Sequence, residues 1–157
     1  MEAYGWLKLL HVLSSTLLFG TGLGTAFYLW RAHRSGDCAF LASVARTVVI
    51  ADWAFTLPAV IIQPVTGLAM AHLAGFPIGS PWIAASLGLY GVVGACWVPV
   101  VWIQIQVAGL SAHAAREGLP VPARVHRLMA WWYALGWPAF LGVIAIFWLM
   151  VFRPSGA

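Results

Sequence analysis

Four long apolar stretches alternate with short polar segments along the chain. They run from Tyr4 to Trp30, Thr47 to Ala71, Trp82 to Gln106 and Leu128 to Phe152. A helix needs about 20 mostly apolar residues to cross the hydrocarbon core of a bilayer, and each stretch is long enough. The connections are short. Arg31 to Arg46 contains Ser35-Gly36-Asp37, a break and an N-cap, so the second helix begins before its apolar stretch. Leu73 to Pro81 is a tight turn with Gly75, Pro77, Gly79 and Pro81. Ala108 to Arg127 carries Pro120 and Pro122 as breakers. The pattern predicts an all-α fold, a four-transmembrane-helix bundle, with residues 1–157 forming a single domain. The apolar run after Lys8 continues to Trp30, too long for the core of a signal peptide, so it stays in the membrane.

Composition makes the lipid bilayer the main partner. Hydrophobic residues make up 62% of the chain and charged residues 8%, against roughly 25% charged in soluble domains. Such a surface cannot be covered by water. The 10 tryptophans suit the membrane interface, where amphipathic rings anchor.

The net charge of +4 is a topology signal and not a nucleic-acid signal, because the arginines sit in short connections. Arg31, Arg34, Arg46, Arg116, Arg124 and Arg127 share one side, while Lys8 and Arg153 lie on the other. The positive-inside rule puts both termini on the non-cytoplasmic side of a bacterial inner membrane. Cys38 is read in a loop and Cys96 in the middle of a span, too far apart in depth for a disulfide.

Polar groups at membrane depth need partners inside the protein, which makes them the first place to look for function. On the second span Asp52, Thr56, Ala59, Gln63, Thr66, Gly67 and Met70 share a face, interrupted by Pro58 and Pro64. Asp52 reads as a proton-handling or ligand-binding carboxylate, or as an ion-pair partner of Arg31, Arg46 or Arg127. The ion pair is the expectation.

On the first span His11, Ser15, Leu18 and Gly22 share a face, with Ser14 beside them. By helical rise His11 matches the depth of Gln63 and Thr66. It can ligate a metal or haem, or hydrogen-bond a partner helix. His72 is a weaker second ligand, on the far side of its helix from the Gln63 stripe. His33, His113 and His126 are read as solvated loop residues, and Gln104 and Gln106 as markers of the cytoplasmic exit. Gly20 and Gly24 form a GxxxG pair that serves internal packing or a homodimer face, with internal packing expected.

Trp6-Leu7-Lys8-Leu9-Leu10-His11, Ala51-Asp52-Trp53, Gln63-Pro64-Val65-Thr66-Gly67 and Gly136-Trp137-Pro138-Ala139-Phe140 resemble a family of predicted bacterial integral membrane proteins of unknown function. More distantly, the opening W-x-K-x-x-H is similar to the four-helix, haem-containing protoporphyrinogen oxidases and to related copper-resistance membrane proteins. That resemblance implies haem b, with His11 as an axial ligand to the iron. The oxidases carry a functional lysine early in the third span, where this chain reads Pro81-Trp82-Ile83-Ala84-Ala85-Ser86. The departure argues against protoporphyrinogen oxidation and leaves haem binding.

Three functions follow as expectations. The first is a haem protein in electron transfer or an oxidoreductase role, its cofactor site drawn from His11, Ser15, Gln63 and Thr66. The second is an accessory subunit of a larger membrane complex. The third is a metal or small-solute carrier using His11, Asp52 and Gln63.

Overall fold

The structure, a computed structural model, describes residues 2–154. It consists of helices α1 (Glu2–Ser35), α2 (Cys38–Ala51), α3 (Leu57–Leu73), α4 (Pro81–Arg116) and α5 (Ala123–Phe152). A π-helical turn, Asp52–Thr56, joins α2 and α3 into one spanning helix. Four helices are thus long and apolar enough to cross a membrane. Each outruns its apolar stretch. At 1.5 Å per residue α4 reaches about 54 Å, against a hydrocarbon core of about 30 Å.

The helix ends follow local chemistry. Asp37 sits extended at the N-cap of α2, and its Oδ1 accepts from the backbone N–H of Ala39 (2.8 Å) and Phe40 (3.0 Å). Gly36, Gly75 and Gly118 adopt positive φ beyond the last turns of α1, α3 and α4, a conformation that glycine takes without Cβ strain. The cap makes Cys38 the first residue of α2 and not a loop residue. Its buried Sγ donates to Leu119 O (3.4 Å), which ties the first connection to the third. Both cysteines are free.

Pro58 accounts for the π turn. It has no N–H to give the carbonyl of Ala54, and its ring crowds that oxygen. The helix widens, and Leu57 N–H donates to Asp52 O, five residues back. Asp52 and Thr56 are both buried within this turn.

Packing is uneven. α1 lies on α2 and α3, α2 lies on α4, and α4 lies on α5, while α1 and α5 make little direct contact. A dry core of Leu29, Leu41, Val48, Ile103, Val107 and Met129 fills only the half of the bundle next to the Gly36 and Gly118 turns. Toward the other end α1 pairs with α3 and α4 with α5, and the two pairs part. Tyr90 Oη bridges them by donating to Val60 O. The result is a bundle with an open seam.

The GxxxG pair does not serve internal packing. A Cβ on Gly20 or Gly24 would meet nothing within 4 Å. The residues of α1 that are buried are Ser14, Leu29 and Ala32, on other faces or further along the helix.

Candidate functional site

A cavity of about 800 Å³ lies along the seam between α1 and α5, floored by the π turn, α3 and α4. Phe19 marks one end, stacking on Phe140 with centroids 5.3 Å apart and meeting Phe147 at 5.5 Å. His33 marks the other end. Its Nε2 is 3.0 Å from Nδ1 of His126, and its Nδ1 is 3.2 Å from Tyr133 Oη. Between these two contacts the seam is unsealed. The wall is mostly apolar, with Asp52, Thr56, Gln104 and Tyr133 among its polar members.

His33 and His126 therefore correct the reading of loop histidines, while His126 remains exposed as expected. They sit in the last turn of α1 and the first turns of α5, because both helices continue past their apolar stretches. His113 lies in the last turn of α4, exposed and without such a contact.

Asp52 is 5% exposed on the cavity wall. The expected ion pair with Arg31, Arg46 or Arg127 is not formed. Those side chains lie beyond the apolar stretches, where a long stem carries its charge toward water. Instead Thr56 Oγ1 donates to Asp52 Oδ1 (2.8 Å), and Gln104 Nε2 donates to Oδ2 (2.8 Å). The Gln104 amide is oriented by this network, its oxygen accepting from Trp132 Nε1 (3.3 Å). Gln104 is thus a buried partner of the carboxylate and not an exit marker. The spacing of Asp52 and Thr56 signalled their bond in the sequence. Nothing in the sequence paired Asp52 with a residue 52 positions away.

Three glycines line the same cavity, Gly22 on α1, Gly94 on α4 and Gly136 on α5. None would bring a Cβ within 4 Å of another group. Glycine inside a helix costs about 1 kcal/mol relative to alanine. Close packing of the chain does not require glycine at these positions.

The second cluster holds α1 to α3. Thr66 Oγ1 donates to Ile62 O (2.7 Å), so His11 Nδ1, 2.8 Å from the same oxygen, is the donor of their bond. In that arrangement the neutral ring carries its lone pair on Nε2. Gln63 Nε2 donates to His11 O (2.7 Å) and to Ser14 Oγ (2.6 Å). Gly67 lets the ring sit close, since a Cβ there would stand 3.2 Å from His11 Cε1. The expected meeting of His11 with Gln63 and Thr66 is therefore formed. Ser15 is not part of it. Its hydroxyl returns to Val12 O (2.8 Å), and Ser14 takes the place expected for it.

His72 is exposed near the end of α3, with no bond to His11. His11 does not line the seam cavity either. The first wall residue on α1, Leu18, is about 10 Å further along the helix. Among the described residues no three His, Cys, Asp or Glu side chains converge as metal ligands. For haem, His11 Nε2 is a single donor nitrogen, and neither cavity wall includes His11.

No curated protein and no solved structure matches the chain, so the likeness to haem oxidases and copper-resistance proteins gains no support from them. A family model does match, over residues 5–154, and takes in all four spanning helices. With nearly the whole chain covered, this protein belongs to the family described as predicted integral membrane protein (DUF2269).

Proposed function

We propose that this membrane protein binds a lipophilic small molecule in the seam between α1 and α5. The observation that carries the reading is the ring of unfilled glycines, Gly22, Gly94 and Gly136, around one cavity. Its volume of about 800 Å³ falls within the range of sites for small organic ligands, roughly 300–1,000 Å³. The seam faces the bilayer, so the ligand enters sideways from lipid, between the Phe19–Phe140 contact and the His33–His126 contact. The arginine bias supports an orientation with the His33 end at the cytoplasmic face of a bacterial inner membrane.

The test is binding of a neutral fluorescent probe, 1-N-phenylnaphthylamine, to the purified full chain in nanodiscs. Saturable binding is expected in the wild type. Gly94→Leu and Gly136→Leu should reduce it while raising thermal stability. Absence of saturable binding, or binding that survives both variants, overturns the reading.

A second reading rests on His11. Its tautomer leaves Nε2 ready for an axial bond, and a haem b held there would supply one-electron chemistry. Thr66 would orient the ring and raise the basicity of the ligating nitrogen.

A further inference from the structure

We infer that the seam takes a lipophilic cation, a delocalised or quaternary positive centre inside an apolar shell. The inference rests on the proposed use of the seam as a binding site, and it assigns the ligand's charge.

Asp52 supplies the first argument. Thr56 and Gln104, which donate to its carboxylate, are neutral groups and stabilise the anion without neutralising it. A carboxylate is costly in apolar surroundings unless a cation stands beside it, so a cationic ligand and the ionised form of Asp52 would stabilise each other.

The rest of the wall supplies the second argument. Phe19, Trp97, Trp132, Tyr133, Trp137 and Phe140 all line the cavity. Aromatic faces are negative and attract cations, most strongly where water is excluded. They repel anions for the same reason.

The basic residues on the wall, Arg34 and His33, lie in the last turn of α1. Arg34 is exposed there. The wall around Asp52 thus combines one carboxylate with indole, phenol and phenyl rings. An apolar shell suits the remaining surface and the sideways route from lipid.

The experiment compares three probes on the purified full chain in nanodiscs. They are tetraphenylphosphonium, its anionic analogue tetraphenylborate and neutral 1-N-phenylnaphthylamine. The wild type should bind the cation at least about tenfold more tightly than the anion, and Asp52→Asn should bring that ratio toward one. Gly94→Lys should also remove the preference, relative to Gly94→Met, by placing an ammonium in the same cavity where a Cβ has room. This second pair keeps the test decisive if Asp52→Asn does not fold.

A wild type that binds the neutral probe without preferring the cation overturns the charge assignment and leaves the seam as a binding site. Failure to bind any of the three overturns both. A preference that persists in Asp52→Asn, or in Gly94→Lys when Asp52→Asn does not fold, also overturns the assignment to this carboxylate.

Discussion

His33 Nε2 lies 3.0 Å from His126 Nδ1, joining two helices that otherwise scarcely touch, across 93 positions of sequence. An imidazole–imidazole bond needs one N–H and one bare nitrogen, so the pair shares a proton. With Tyr133 it closes one end of the seam, as Phe19 and Phe140 close the other. His126→Ala should lower stability by about 1 kcal/mol, the usual net worth of one hydrogen bond. It should also loosen α1 from α5. Spin labels on Ser35 and Ala123, in a background without Cys38 and Cys96, would report a broader distance distribution. Unchanged distances and an unchanged unfolding midpoint would show that the contact holds nothing together.

Two glycines six residues apart on α5 should respond in opposite directions to the same change. Gly136 faces the seam, and a Cβ there meets nothing within 4 Å. Gly136→Ala should therefore stabilise the protein by up to about 1 kcal/mol through helix propensity alone. At Gly142 a Cβ would stand 2.7 Å from Val93 Cγ2 on α4, where those helices pack closely. Gly142→Ala should cost about 1–3 kcal/mol of overpacking. Thermal unfolding in detergent compares the two directly. Equal shifts would mean that the seam is as tightly filled as the α4–α5 contact.

Asp52 and Gln104 should behave as one unit. Asp52→Asn replaces one of the two acceptor oxygens by a donor, so either the Thr56 hydroxyl or the Gln104 amide must turn round to accept. Gln104→Leu leaves Oδ2 without its donor. Each change should cost about 1–3 kcal/mol, the price of a buried polar group left unpaired. The double variant should cost less than their sum by about 0.5–3 kcal/mol, as expected of residues in contact. Additive costs would dissolve the network.

The spans and the Asp37 cap were legible in the sequence because hydropathy and capping are local signals. The meeting of His11 with Gln63 and Thr66 was legible too, because matched depth on neighbouring antiparallel helices follows from helical rise alone. The seam was not. Which helices leave a gap depends on how far α1–α3 and α4–α5 part, and both the parting and the π turn at Pro58 are tertiary. The helical placement of His33 and His126 is hidden from the sequence for a related reason. Apolar length marks where the bilayer ends, whereas the helices run on, and the pair lies in that overrun.

Topology can be tested at positions the structure shows to be accessible. Cys38 is a poor reporter, since it is buried against Leu119. Glu117 and Ile78 are exposed at opposite ends of α4 and the turn before it. With the native cysteines replaced, Glu117→Cys should resist a membrane-impermeant thiol reagent on intact cells and Ile78→Cys should react. The reverse pattern would invert the orientation drawn from the arginines.

The His11 cluster yields a spectroscopic prediction. Thr66 spends its proton on Ile62 O, which obliges His11 Nδ1 to donate and leaves Nε2 as the free nitrogen. On the haem reading, protein purified after expression with ample haem should show a Soret band and, when reduced, the sharp α band of haem b. His11→Ala should lose haem or shift the spectrum strongly, while His72→Ala, on the exposed end of α3, should change little. Thr66→Val keeps the ring but removes the acceptor that fixes its tautomer. It should weaken haem retention roughly 10–100-fold, the usual effect of losing a group that orients a ligand. A colourless wild type would sink the haem reading outright. Haem held with an unchanged spectrum in His11→Ala would move the axial bond elsewhere, with His72 the next residue to replace.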